Sequence, residues 1–309
     1  MVSRSGPPTR LVGAAAGLLV DRLVGEPPAS WHPVAGFGWL MTRLERSWYA
    51  DDTAAGAAYT AVGVTAATLA GLAVRSTALT VACSTAGRML RTTATNIAAA
   101  LSADDLDHAR ALLPTLVGRD PAALDASGIA AATIESLAEN TVDAVVAPAV
   151  WGAVLGAPGA AAHRAVNTID AMVGHHSERY EHFGRVGARL DDAAAYLPAR
   201  LTVLLVCASR PDRTRAVLTT VQRDAAAHPS PNAGVAEAAF AAALGLQLGG
   251  PTRYADRLES RPPLGVGPRP EPCDIARAVQ LADRVELTLA ALLVALGLLL
   301  AIRPRRAAR

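Results

Sequence analysis

Between Thr53 and Val74 the chain carries no charged side chain, and the run stops at Arg75. A helix needs about 20 apolar residues to cross the hydrocarbon of a bilayer, where each backbone N–H and C=O must be satisfied within the segment. A second run, Leu287 to Ile302, is leucine-rich and has no polar face, so it does not read as an amphipathic helix laid against a soluble core. Arg303, Arg305, Arg306 and Arg309 follow it, which predicts a cytoplasmic C-terminus. Two further apolar stretches are 196–209, which includes Arg200, and 144–162, which Ala157-Pro158-Gly159 interrupts. The interruption permits a re-entrant or kinked helical pair, or a segment buried by protein instead of lipid, in 144–162. Leu11 to Val20 is too short to span, and Asp21-Arg22 directly after it do not form a signal-peptide cleavage site.

The expectation is therefore a mostly α, polytopic integral membrane protein built as one domain over 1–309. Its apolar segments are 53–74, 144–162, 196–209 and 287–302. The polar regions 21–52, 88–143, 164–192 and 210–286 are too long for turns. They are expected to form helical structure carrying the active site on one membrane face. The proline- and glycine-dense stretch 257–272 reads as an irregular loop, and no strand-type alternation of useful length is visible. A soluble alanine-rich helical protein is the alternative, and the apolar run 287–302 argues against it.

Composition narrows the chemistry. Hydrophobic residues make up 51% and charged residues 18% of the 309 positions, against about a quarter charged in soluble proteins. The formal net charge is +2 and no basic block precedes the C-terminal arginines, so a nucleic-acid partner is not expected. All 29 basic residues are arginine. Without lysine there is no Schiff-base chemistry and no phosphate loop ending in Gly-Lys-Ser/Thr. A bound phosphate must be held by arginine forks, backbone N–H groups or a metal. Cys83, Cys207 and Cys273 form no CxxC pair, and HExxH, GxSxG and GxGxxG are absent.

Among the polar motifs, Ile134 to Asp143 places Glu135, Glu139 and Asp143 on one helical stripe. Like charges at that spacing need arginine, metal or solvent, and carboxylate oxygens suit Mg²⁺. A solvated helix face fits the stripe equally well. Downstream, Arg164, Asn167 and Asp170 share a helical face that suits either phosphate recognition or a capped helix end. The dense charges Arg185, Arg189, Asp191 and Asp192 come next. Ser230 and Asn232, in His228-Pro229-Ser230-Pro231-Asn232-Ala233-Gly234, stand where a helix begins and suit capping or an anion. Asp21 to Pro27 and His32-Pro33 set charge and one histidine beside an apolar segment.

Taken in order, these elements resemble the adenosylcobinamide-phosphate synthase family of cobalamin biosynthesis. The matching stretches are Asp21–Pro27, His32-Pro33-Val34 with Gly36, Val117–Asp120, Ile134–Asp143 with Pro148, and Arg164–Gly174. They continue with Arg179-Tyr180, Phe183-Gly184, Ala188–Asp192, Leu197–Leu201, Ser230–Gly234 with Glu237, and Gly249-Gly250. Glu26 stands where that family more often has aspartate.

The resemblance implies a multi-pass protein of the cell (inner or plasma) membrane. It implies ATP-dependent ligation of adenosylcobyric acid to (R)-1-aminopropan-2-ol phosphate, or to aminopropanol, with Mg²⁺. Whether other enzymes of the cobalamin pathway dock on it as partners is left open. On that reading Glu139, Asp143 and His32 are the catalytic candidates. Glu135, Glu139, Asp143, Asp170 and Asp191 are the metal candidates. Arg119, Asn140, Arg164, Asn167, Arg189, Ser230 and Asn232 are the candidates for holding substrate and phosphate. The loops 88–143 and 164–192 are expected on the cytoplasmic side, where ATP is. The competing class is a corrinoid transporter or a non-catalytic membrane scaffold.

Overall fold

A computed structural model describes residues 6–28, 30–118, 120–175, 177–254 and 257–302, with backbone alone at 251–260. In chain order the helices are α1 (Pro7–Val24), α2 (Pro33–Trp48), α3 (Thr53–Val74), α4 (Thr77–Ser84), α5 (Gly87–Ser102), α6 (Leu106–Leu112) and α7 (Ala126–Thr141). They continue as α8 (Ala147–Leu155), α9 (Ala157–Val173), α10 (Arg185–Ser209), α11 (Thr214–Asp224), α12 (Ala233–Leu244) and α13 (Pro272–Ile302). The fold is mostly α, as expected. α3, α10 and α13 are long and apolar enough to cross a membrane.

The starts of these helices follow from single side chains. Asp52 accepts from the N–H groups of Ala54 and Ala55, both at 3.0 Å, and so opens α3 where the apolar run begins. Asp125 opens α7 by accepting from Gly128 N–H at 2.7 Å. His32 opens α2 through Nδ1, with Pro33 at the first helical position.

The 144–162 stretch is two helices, α8 and α9, folded against each other. The break falls at Gly156, whose φ of +77° suits glycine, and Pro158 then sits in the first turn of α9. α8 follows α7 through a π-helical turn, Val142–Val146.

Two expectations need correction. The stretch 257–272 is not simply an irregular loop, and strands are present: β1 (Leu248–Tyr254) and β2 (Arg257–Leu264) pair antiparallel. Proline and glycine hid them. A two-stranded ribbon has an open edge on each strand, where proline's missing N–H does no harm. Gly249 and Gly250, at φ +78° and +104°, adjoin the irregularity between Leu248 and Gly250.

The chain divides into two compact units. The first comprises 1–86, 144–194 and 289–309, and the second 87–143 and 195–288. In the first, α3 lies along α9 because its glycines allow close approach. A Cβ on Gly63 would stand 2.9 Å from Ile169, and one on Gly71 would stand 2.7 Å from Pro158. The core here is Met41, Tyr59, Ile169, Val173 and Phe183. The ring centroids of Tyr59 and Phe183 are 5.0 Å apart. This packing fixes α9, which carries Arg164, Asn167 and Asp170. In the second unit α12 is buried on all sides, packed by α7 and α11.

Candidate functional site

In the first unit, motifs distant in sequence meet. α1 ends at Gly25, whose N–H donates to Asp21 O at 2.8 Å and whose φ of +83° turns the chain toward Glu26. Asp21 is buried at 1% exposure. Further on, the His32 Nδ1 accepts from Val34 N–H at 3.2 Å, which leaves the ring proton on Nε2. That Nε2 lies 3.9 Å from Glu26 Oε1.

On α9, Arg164 Nη1 donates to Asn167 Oδ1 at 3.2 Å, and Asn167 Nδ2 in turn donates to Asp191 Oδ1 on α10 at 3.5 Å. Asp191 is buried. The two groups of residues are coupled electrostatically. Burial raises the Glu26 carboxyl above its ordinary range, Arg164 opposes that shift, and Asp21 adds to it. Burial, helped by Arg164, lowers the His32 imidazole. Next to Arg164, His163 is buried with no hydrogen-bond partner on either ring nitrogen among the described residues. Its pKa drops to about 3, through burial first and Arg164 second, so it is a neutral core residue.

Arg164 also lines an apolar cavity of about 360 Å³, together with Pro33, Val34, Phe37, Cys83 and Thr168. It therefore belongs both to the polar cluster and to an apolar wall. Asp170 is half-buried farther along α9, and Arg189 is exposed on α10.

In the second unit the carboxylate stripe is not one environment. Glu135 is 2% exposed, and its Oε1 accepts from Gly249 N–H at 2.8 Å. Glu139 is exposed, while Asp143 is half-buried inside the π-helical turn, where α-helical spacing no longer holds. Asn140 turns back onto its own helix, donating to Ser136 O at 2.9 Å and Ser136 Oγ at 3.1 Å.

Ser230 performs the capping: its Oγ accepts from Asn232 N–H at 3.3 Å and Ala233 N–H at 3.1 Å. Asn232 Oδ1 is used differently, accepting from Arg200 Nη1 at 2.8 Å. Arg119 lies outside the described residues, as do Arg303, Arg305, Arg306 and Arg309.

One buried ionic group in this unit has no role that the sequence reveals. Glu237, fully buried on α12, faces His228 Nε2 at 3.8 Å and Arg261 Nη1 at 3.7 Å. One signal was available: Glu237 is the lone charge in an alanine-rich apolar helix, and a charge survives there only when paired. His228 Nδ1 also accepts from Ser230 N–H at 3.1 Å, so both ring nitrogens face protein groups and the imidazole reads as structural.

Among the described residues no group of three or more His, Cys, Asp or Glu side chains gathers as a metal cage. Magnesium typically takes one or two carboxylates and completes its shell with water and substrate phosphates, and isolated carboxylates suit that mode.

Residues 14–282 match the family model described as CobD/Cbib protein. The "Cobalamin biosynthesis protein CobD" of Mycobacterium tuberculosis (strain ATCC 25618 / H37Rv) is 45% identical over 301 residues, covering 93% of this chain and 96% of that relative. Proteins of the same name are similar at 43% identity over 302 residues in Chromobacterium violaceum, covering 92% and 95% of the two chains. In Rhodobacter capsulatus the figures are 40% over 292 residues, covering 86% and 90%. No solved structure matches the chain significantly.

Proposed function

Since the chain belongs to the CobD/Cbib protein family and has a role in cobalamin biosynthesis, we propose that it is a membrane-embedded, ATP-dependent ligase. It joins the free propionate of adenosylcobyric acid to (R)-1-aminopropan-2-ol phosphate, or to aminopropanol itself. The observation that carries this reading is the meeting of Glu26 and His32 with Arg164, Asn167 and Asp191 beside an apolar cavity. Arg164 on the cavity wall suits a substrate carboxylate, and the apolar lining suits the methyl-bearing edge of a corrinoid.

In the reaction, a propionate oxygen attacks the γ-phosphorus of ATP, releasing ADP and leaving an acyl phosphate. The amine nitrogen then attacks the acyl carbon, phosphate departs, and the amine loses a proton. Arg164, preset by Asn167, holds anionic oxygens with a planar fork. Glu26 accepts the proton, because burial has made its carboxylate more basic than an exposed glutamate. His32 turns Nε2–H toward Glu26 Oε1 at 3.9 Å, beyond hydrogen-bond length, and would orient that carboxylate on closer approach, while its other nitrogen anchors α2.

Mg²⁺ would neutralise phosphate charge when bound, with Asp191 and Asp170 the carboxylates best placed in this unit to hold it. Arg189 is an outer contact in this unit. Glu135, Glu139, Asn140, Asp143, Ser230 and Asn232 belong to the second unit and are separate candidates there. The absence of lysine supports a site of this kind, built on arginine and carboxylate.

The same reading makes α3, α10 and α13 membrane spans, which their length and apolarity support. The active-site loops and the C-terminus face the cytoplasm, where ATP is available. The test is amide formation by purified protein from adenosylcobyric acid, the amine, ATP and Mg²⁺, with stoichiometric ADP. Loss of product on Glu26→Gln, with the protein still folded, supports the assignment; undiminished product refutes it.

A further inference from the structure

The ligase chemistry makes no use of a cationic cavity in the second unit. On α13, Arg277, Gln280, Leu281 and Arg284 recur at steps of three and four residues, so they share one face. With Arg210 they line a cavity of about 160 Å³. Arg210 Nε and Nη2 donate to the two carboxylate oxygens of Asp212 at 3.1 and 3.0 Å. Arg277 donates to Asp274 and to Leu244 O. Arg284 is exposed and makes no hydrogen bond or ion pair among the described residues. Three guanidinium groups thus meet two carboxylates, Asp212 and Asp274, and the balance is positive.

The position of the cavity along the chain is informative. Arg210 directly follows Ser209, the last residue of α10. Ser209 Oγ lies 3.4 Å from Thr288 Oγ1, at the start of the apolar run of α13. On both helices the cavity therefore stands where apolar sequence gives way to polar. In a bilayer that is the level of the headgroup phosphates, which basic pockets beside transmembrane helices recognise. Arginine forks match phosphate oxygens bidentately, and the buried Leu281 adds an apolar wall.

We propose that this cavity binds the phosphate of an anionic phospholipid headgroup. The proposal rests on the membrane-spanning part of the reading above and is independent of the ligase chemistry. Its test uses full-length protein purified in neutral detergent, with native mass spectrometry following retention of phosphatidylglycerol against phosphatidylcholine. Wild type is expected to retain phosphatidylglycerol selectively. Arg284→Gln should weaken that retention several-fold, and Arg277→Gln with Arg284→Gln by about tenfold or more. Arg46→Gln, an exposed arginine far along the sequence, should change nothing. Arg284 has no partner among the described residues to lose, so its variant is expected to fold as the wild type does.

Millimolar inorganic phosphate should fail to displace the lipid. If it displaces the lipid readily, the site serves a free phosphate and the lipid assignment is overturned. Equal retention by wild type and both variants, or an equal loss in Arg46→Gln, also overturns it. Amide-forming activity of Arg284→Gln in neutral detergent is expected to match wild type. A protein that needs no detergent at all would instead overturn the membrane reading itself.

Discussion

His32 and Glu26 face each other across 3.9 Å while the other imidazole nitrogen starts a helix. The histidine cannot present a free lone pair at Nδ1, and its Nε2 bears the proton. On the proposed mechanism Glu26 is the base and His32 its orienting group. Glu26→Gln should lower kcat by about 100-fold or more, in the range general bases contribute, with little change in KM. His32→Gln should cost less and should also destabilise the start of α2. Steady-state kinetics at saturating ATP measures both.

The acid limb of the pH–rate profile follows from the same pair. The base must be deprotonated, and burial raises Glu26 above its ordinary 4.5. Activity should therefore fall, on lowering the pH, at a higher pH than an exposed glutamate would give. Burial, helped by Arg164, lowers His32, so its imidazole protonates at a lower pH than an exposed histidine would. Stability runs the opposite way: a raised folded-state pKa contributes stability at low pH that is lost as pH rises through it. Arg164→Gln removes the charge that opposes the shift, so the limb should move further up. An unmoved limb in Arg164→Gln would detach Arg164 from Glu26.

Arg164→Lys is not conservative here, because the planar fork that reaches Asn167 is lost. KM for the anionic substrate held at this position should rise by about tenfold, one hydrogen-bonded charge contact. Titrating ATP and corrinoid separately identifies that substrate.

Packing makes a prediction that is independent of chemistry. A Cβ at Gly56 would stand 1.8 Å from Phe183 O, on the backbone, so the clash cannot be relieved by a rotamer change. Gly56→Ala should destabilise by about 3 kcal/mol or more. Gly36→Ala, with nothing within 4 Å, should be neutral or slightly stabilising. Thermal unfolding in detergent compares the two.

Glu286, 1% exposed, is paired with Arg91, which also lies 3.6 Å from Asp283. Arg91→Ala leaves a buried carboxylate beside a second acid and should cost about 3 kcal/mol. Adding Glu286→Gln should restore part of that loss. A double-mutant cycle with no coupling would show that the pair contributes nothing to stability.

The apolar helices were legible because a bilayer-length run is a local property: α3 starts and stops where charge does, at Asp52 and Arg75. The continuity of α10 and α13 was not, since the charges of 185–195 and 272–286 set those stretches apart from the apolar runs that the same helices continue. The β1–β2 hairpin was hidden by its own prolines. Of the site, the motifs were visible, but the electrostatic coupling of Glu26 to Arg164 on α9 was not, because nothing local encodes the approach of segments more than a hundred residues apart. Glu237 carries no role that its own segment reveals, and only its burial beside His228 and Arg261 shows what it holds.

The Glu26–His32–Arg164–Asp191 cluster, on this reading, joins an amine to a corrinoid carboxylate at the expense of ATP. Purified protein supplied with adenosylcobyric acid, aminopropanol phosphate, ATP and Mg²⁺ should form one amide per ADP, and Glu26→Gln should abolish most of that product. Transmembrane movement of labelled corrinoid in proteoliposomes, with no ADP and no amide formed, would contradict it.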